Sequence, residues 1–155
     1  MDRYRGVMDR WDVVSRPLTT FGGTGRSATS STIGSGPTTL EKRSGIARDA
    51  DTQAGLFLKE NLVEALSVKR QELLELVRDM VSRGVPIDGV ALQMHETQVG
   101  PPPGARPTSG DYTALGLEVT IAEPDVHILD PIHQAVVYGD VESEALAAGI
   151  TGISV

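Results

Sequence analysis

The stretch LEVTIAEPDV, Leu117–Val126, decides the fold. It contains a short β-prone run, Val119–Ile121, followed by two carboxylates, Glu123 and Asp125. In parallel α/β architectures, side chains at the carboxyl ends of strands face the functional site, whereas strand interiors serve packing. The stretch therefore predicts a strand that delivers two carboxylates to its end. These are either functional groups or solvated loop acids, as most carboxylates are.

Short β-prone runs recur along the chain. They predict four further strands, at Trp11–Val14, Leu56–Leu58, Ile87–Gln93 and Ile150–Val155. Polar or turn-forming residues bound these runs, which is typical of strands. The spacing between them leaves room for the crossover connections that parallel strands require.

Helical patterns lie between these strands. In the clearest one, apolar residues recur at three and four from the candidate N-cap Ser67 up to Gly84. Another helix is predicted to begin with Asp130 as N-cap and Pro131 as its first residue, and to end at Gly149. Two weaker helical patterns lie at Leu40–Ala50 and Tyr112–Leu115.

Strands that alternate with helices predict an α/β fold with a parallel sheet covered by helices. The 155 residues, 39% of them hydrophobic, suffice for one domain over residues 1–155. Within it, Thr19–Ser44 is predicted to be a flexible low-complexity loop, because Thr, Ser and Gly dominate its composition. Five strands are fewer than the eight of a (β/α)8 barrel, which needs about 250 residues. From these patterns alone, the sheet is either open or part of a barrel.

Composition excludes several classes of function. A net charge of −7 argues against a nucleic-acid partner, whose phosphates require clustered Lys and Arg. The absence of cysteine excludes disulfides and thiolate metal sites. No apolar run approaches the roughly 18 residues of a membrane span, and the first residues lack a signal-peptide pattern. As written, the sequence therefore predicts no membrane partner and a cytoplasmic protein.

Several stretches, in order, resemble glycoside hydrolase family 10, the endo-1,4-β-xylanases. Trp11–Pro17, WDVVSRP, is similar to the family's WDVVNEP, and Gly84–His95, GVPIDGVALQMH, is similar to GVPIDGVGFQSH. Leu115–Val126, LGLEVTIAEPDV, resembles LGLEVTITELDV, and Thr151–Val155 resembles the start of TVWG. Leu56–Asn61, LFLKEN, resembles LFLNEN. The resemblance implies a partial (β/α)8 TIM barrel, roughly strands four to eight, with parallel strands and helices outside.

The resemblance also implies a retaining mechanism, in which two carboxyl groups about 5–5.5 Å apart flank the glycosidic bond. Glu123 matches the nucleophile, and His95, with Gln93 before it, matches the pair that orients the nucleophile. Asp125 matches the acidic residue after the nucleophile, with a structural role. Further substrate-binding or orienting positions are Trp11, Ser15 and Lys59. The implied partner is β-1,4-xylan or a xylo-oligosaccharide, no metal or cofactor is implied, and the family's location is secreted.

Departures from the family concern the other carboxyl group. Arg16 stands where the family has its acid/base Glu, and Ser15 replaces the Asn that holds the sugar 2-hydroxyl. A guanidinium stays protonated at any working pH, so it can neither donate nor accept the required proton. Losing a positioned acid/base typically lowers the rate by about 10² to 10⁴. Arg16 either faces Glu123 as a fixed cation or is a loop cation turned to solvent.

Three hypotheses follow. The first is a truncated, divergent relative of the family 10 xylanases with a nucleophile but little or no activity. The second is a non-catalytic remnant that binds carbohydrate or associates with itself or another chain through exposed strand edges. The third is an unrelated open α/β protein, since fold alone does not determine function.

Overall fold

The computed structural model of the protein describes residues 2–18, 37–64, 66–97, 109–150 and 152–154. The strands are β1 (Arg10–Ser15), β2 (Gly55–Glu60), β3 (Gly89–Leu92), β4 (His95–Thr97), β5 (Glu118–Ile121), β6 (Asp125–His127) and β7 (Gly152–Ile153). The helices are α1 (Pro37–Ala50), α2 (Ser67–Ser82), α3 (Gly110–Thr113) and α4 (Pro131–Ala147). Each of the five predicted strand regions contains a strand. None of the described helices has the length and apolarity needed to cross a membrane.

The main sheet has five parallel strands in the order β1-β2-β3-β5-β7. A doubly wound sheet reverses its strand order at a switch point, whereas here each strand joins beside its predecessor. This arrangement is that of a barrel section, which answers the question that the strand count left open. The strands β4 and β6 form a separate parallel pair beyond the carboxyl ends of β3 and β5.

The hydrophobic core lies between the outer face of the sheet and the helices. Alternate strand residues such as Leu58, Val90 and Val119 are at most 1% exposed and pack against α2. From α2, Leu73 and Val77 are fully buried, which confirms the helical stripe read from the sequence. Replacing a buried Leu of this kind by Ala typically lowers the free energy of unfolding by about 2–5 kcal/mol.

The helix ends follow local rules with one exception. Asp130 caps α4 by accepting a 2.8 Å hydrogen bond from the His133 amide, and Pro131 is the first helical residue, as predicted. Gly84, with φ +68°, follows the last turn of α2. The predicted N-cap Ser67 is wrong by one residue, because Leu66 occupies the cap and no side chain caps this helix.

The opposite, inner face of the sheet carries the residues that point toward the barrel interior. Phe57 lies over Gly89, where a Cβ atom would collide with its ring. The Arg10 guanidinium lies 5.3 Å from the centre of the Phe57 ring, and its Nη2 is 3.3 Å from Oε2 of Glu118. These side chains therefore cover the inner face of the sheet near the amino ends of its strands.

The predicted loop Thr19–Ser44 is wrong in its last part, because residues 37–44 belong to α1; residues 19–36 lie outside the described residues. Leu40, Ser44 and Ala47 are buried on one face of α1. A helix is stabilised mainly by such tertiary packing, which a weak local pattern does not disclose.

Candidate active site

The carboxyl ends of the strands bring most of the predicted site residues together. Ser15 ends β1, Lys59 lies near the end of β2, and Gln93 follows β3 directly. Glu123 follows β5 by two residues. Because the strands are parallel and in register, these ends lie at one edge of the sheet, where parallel barrels place their functional groups.

His95 connects Glu123 to two further side chains. Its Nδ1 is 2.7 Å from Oδ1 of Asp125, because register pairs these two residues across β4 and β6. Its Nε2 is 3.0 Å from Oε1 of Gln93 and 3.6 Å from Oε2 of Glu123. The Gln93 amide nitrogen donates to Oγ of Ser15 at 3.4 Å. Both ring nitrogens therefore face side-chain oxygens.

Asp125 is ionised in this arrangement. Burial favours a raised pKa, but the hydrogen bond from His95, the charge of His95 and the contact with His127 together lower the pKa of Asp125. The carboxylate therefore fixes the orientation of the His95 ring, and the ring in turn faces Glu123. The resemblance implies a structural role for Asp125, and that role stays a prediction.

Lys59 is the cation that contacts Glu123. Its Nζ is 2.7 Å from Oε1 of Glu123 and 2.9 Å from Oδ2 of Asp12. Burial alone would lower the pKa of Lys59, but the hydrogen bonds and charges of Glu123 and Asp12 raise it above its usual value. Lys59 is therefore a stable ammonium ion between two carboxylates.

Sequence reasoning missed Asp12. A carboxylate within an otherwise apolar, β-prone run needs a polar partner when its strand packs inside a fold. This pattern was the sequence signal that could have identified Asp12. Asp12 lies on the inner face of β1, one strand away from Lys59 on β2. The pair is formed across neighbouring strands.

Arg16 does not face Glu123. Its side chain is exposed and makes no hydrogen bond or ion pair with the described residues, which agrees with the second of the two alternatives left open by the sequence, a loop cation turned to solvent. Its backbone has φ +52° and its amide donates to the Lys59 carbonyl at 2.7 Å. Met94, after β3, also has a positive φ of +55°. Left-handed backbone at non-glycine residues is uncommon and clusters at functional sites.

Trp11 is not brought to this site. It lies near the amino end of β1, and at about 3.3 Å per residue its backbone is roughly 13 Å from that of Ser15. The indole Nε1 donates to Oδ2 of Asp51 at 3.2 Å, and this bond is the largest cause of the lowered pKa of Asp51. Its assignment as a substrate-binding or orienting residue stays a prediction, because strand direction separates Trp11 from Ser15, whereas Trp11 does line the groove on the inner face of the sheet.

A buried ion pair lies directly behind the site. Glu60, fully buried, accepts hydrogen bonds from the amides of Leu18 and Asn61, both at 2.9 Å, and pairs with Nζ of Lys69 at 2.9 Å. These bonds hold the turn after β1 against the end of β2. Arg16 stands on that turn, so its position depends on Glu60.

The site adjoins a groove on the inner face of the sheet, with a volume of about 740 Å³. The groove runs between the edge strands β1 and β7. Its walls include Arg10, Asp12, Phe57, Thr120 and Ser154. Asp12 belongs both to the groove and to the contact with Lys59. In the described part of the chain, no group of three or more His, Asp or Glu side chains is placed to hold a metal ion.

The chemistry available here is that of an oriented carboxylate. Glu123 is 42% exposed, while His95 and Lys59 each contact one of its oxygens. A carboxylate held in this way can attack an electrophilic carbon or stabilise a developing positive charge. Arg16, which is exposed and does not contact Glu123 in the described structure, cannot supply a proton.

Comparison with known proteins agrees with the resemblance. Residues 1–150 match the family described as Glycosyl hydrolase family 10. The endo-1,4-β-xylanase of Agaricus bisporus is 30% identical over 134 residues, which are 86% of this chain and 40% of that protein. Endo-1,4-β-xylanase A of Halalkalibacterium halodurans is 30% identical over 152 residues, which are 96% of this chain and 38% of that protein. The chain thus spans at most about two fifths of these relatives.

Solved structures show the same relation in three dimensions. Native xylanase 10B of Thermotoga maritima superposes with a TM-score of 0.83 at 23% identity, over 99% of this chain and 49% of that one. The intracellular xylanase of Thermoanaerobacterium saccharolyticum gives a TM-score of 0.83 at 25% identity, over 99% and 50%. The fold is therefore a partial TIM barrel, as the resemblance implied. With its family profile matched from residue 1 to residue 150, the chain belongs to glycosyl hydrolase family 10.

Proposed function

We propose that this chain carries the nucleophile of a retaining site for β-1,4-xylan or xylo-oligosaccharides, and that its hydrolytic activity is strongly impaired. The observation that supports the proposal best is the position of Glu123. Its carboxylate follows β5 at the carboxyl edge of the barrel section and lies 3.6 Å from Nε2 of His95. A family 10 relative, xylanase 10B of Thermotoga petrophila, has been solved in complex with xylobiose.

In the proposed reaction, an oxygen of Glu123 attacks the anomeric carbon and forms an ester, while the bond from that carbon to the leaving oxygen breaks. A sugar leaving group needs a proton at this moment, whereas a dinitrophenolate leaves without one. Water then cleaves the ester, and in the absence of a general base this step is also slow. Arg16 can assist neither step, because its guanidinium does not exchange a proton at neutral pH.

The experiment compares two substrates. We expect 2,4-dinitrophenyl β-xylobioside to give a burst of dinitrophenolate and a glycosylated chain in the intact mass spectrum, while xylan is turned over about 10² to 10⁴ times more slowly than by an enzyme with its acid/base. The matched control is Glu123→Gln, which should show no ester. Ordinary turnover of xylan would contradict the impaired activity, and the absence of any ester would contradict the nucleophile.

The second candidate function is that of a non-catalytic protein. In one version the chain binds carbohydrate, and in the other it associates with another polypeptide chain. In the part of the chain that the structure describes, β1 and β7 each have one edge without a paired strand. The surface of α4 also exposes apolar side chains, among them Ile132, Val136 and Leu146. Unpaired edges and apolar faces favour association. Analytical ultracentrifugation combined with calorimetric titration of xylotriose tests both versions, and a stable monomer with no heat of binding would remove them.

A further inference from the structure

Lys59 is held by two protein carboxylates. An ammonium ion has three N–H donors, and two of those of Lys59 are directed at Glu123 and Asp12 at 2.7 and 2.9 Å. Its side chain is only 16% exposed, whereas both carboxylates are more than a third exposed. Lys59 is therefore the least accessible member of the group and is held from two sides.

The space that this ammonium ion fills is the space that a sugar needs. In a retaining mechanism, the anomeric carbon approaches the nucleophile oxygen to roughly 3–3.5 Å and then acquires positive charge. The Lys59 nitrogen stands 2.7 Å from Oε1 of Glu123, closer than that carbon would come. While Lys59 is in place, it occupies one approach to this oxygen and hinders a ring carbon from reaching it, and a second positive charge beside it is disfavoured.

Asp12 is the group that keeps Lys59 there. The two side chains lie on the inner faces of neighbouring strands, and register places the small Ala91 beside Lys59 on the other side. Without Asp12, the ammonium ion would retain one carboxylate and could rotate away from Glu123. Nothing in the sequence resemblance assigns Asp12 a role.

We propose that Asp12 and Lys59 form a cationic latch on Glu123, in which Lys59 excludes the sugar from the nucleophile and Asp12 positions Lys59. This inference rests on the proposed function, because it assumes that Glu123 is a nucleophile for a glycoside. The latch adds a second barrier to attack of Glu123 on the sugar, independent of Arg16. It predicts that one substitution can remove this barrier.

The main test measures the rate at which 2,4-dinitrophenyl 2-deoxy-2-fluoro-β-xylobioside labels the chain. Lys59→Asn should be labelled about 10- to 100-fold faster than the unsubstituted chain, the factor that corresponds to one charge-assisted hydrogen bond. Asp12→Asn should be accelerated in the same direction. Lys42→Asn, which removes an exposed lysine on α1, should match the unsubstituted chain. Equal rates for all four chains would overturn the latch.

Two further outcomes separate the latch from the proposed function. If no chain is labelled but each binds xylotriose by calorimetry, the latch is overturned and a carbohydrate site remains. If no chain is labelled and none binds xylotriose, the proposed function fails and the latch fails with it. Should Lys59→Asn unfold, the double variant Asp12→Asn with Lys59→Asn removes both charges and replaces it in the same assay.

A measurement without any sugar tests the latch directly. The chain has three lysines, and the exposed Lys42 and the buried Lys69 serve as fast and slow references. Under reductive methylation followed by mass spectrometry, Lys59 should react more slowly than Lys42, and Asp12→Asn should accelerate Lys59 alone. Methylation of Lys59 at the rate of Lys42 in the unsubstituted chain would overturn the latch.

Discussion

Two lysine–glutamate pairs lie toward the carboxyl edge of the sheet, and they differ in burial. Lys69 and Glu60 are 4% and 0% exposed, and Glu60 also accepts two backbone amides. Lys59 and Glu123 are 16% and 42% exposed. The distances, 2.9 and 2.7 Å, are almost equal. Burial therefore separates a pair that holds the scaffold from a pair that a ligand can open.

The largest expected effect comes from breaking the buried pair. Lys69→Met should lower the free energy of unfolding by about 3–5 kcal/mol, because it leaves the Glu60 carboxylate buried without its cation. Urea denaturation at neutral pH measures the change. The double variant Glu60→Gln with Lys69→Met should lose less than the single variant, since no uncompensated charge remains. If Lys69→Met lowered the free energy of unfolding by less than about 1 kcal/mol, the Lys69–Glu60 pair would contribute no more than an exposed ion pair, which would contradict the prediction.

Breaking the open pair should have a much smaller effect on stability. Lys59→Met should lower the free energy of unfolding by at most about 1 kcal/mol, because water can solvate the exposed carboxylates of Glu123 and Asp12. The same urea measurement applies, with Lys42→Met as the exposed reference. A loss as large as that of Lys69→Met would erase the distinction between the two pairs.

The smallest expected effect is a dependence on pH at the exposed end of the site. The pKa of Asp125 is lower in the folded chain, so its stabilising contribution is present above its unfolded pKa of about 3.9 and is lost as pH falls through the folded value. Asp125 is about half exposed, so the contribution should stay below about 1 kcal/mol. Urea denaturation of the unsubstituted chain and of Asp125→Asn at pH 6 and pH 3 measures it. The difference between the two chains should shrink at pH 3, and a difference that grows there would reverse the sign.

Much of the fold could be predicted because its elements follow local rules. The stripe of α2, the Asp130 cap and Pro131 of α4, and the β-prone run of β5 each depend on residues close in sequence. The helix α1 could not be predicted with the same ease, since its mean pattern is polar and its buried face is narrow. Its stability comes from packing against β1 and β2, which a local pattern does not contain.

In the candidate site too, some residues could be predicted from the sequence and others could not. Glu123, His95 and Gln93 were recognised from ordered motifs, and the structure brings them into contact because parallel strands end at one edge. The resemblance also selected Trp11, but strand direction places it near the opposite end of β1. The positive charge of Arg16 is evident from the sequence. Its direction, toward solvent from a turn with left-handed backbone, is evident only from the structure.

By itself, the sequence determined where most of the strands and helices lie and which family the chain resembles, and it predicted the loss of a carboxyl group at Arg16. These properties depend on composition and on the spacing of residues that are close in sequence, and both can be read from the amino-acid sequence. Only the tertiary structure decided that Lys59, not Arg16, contacts Glu123, and that Asp12 holds it there. The reason is that an ion pair depends on distance and on exclusion of water, and both arise when strands far apart in sequence become neighbours.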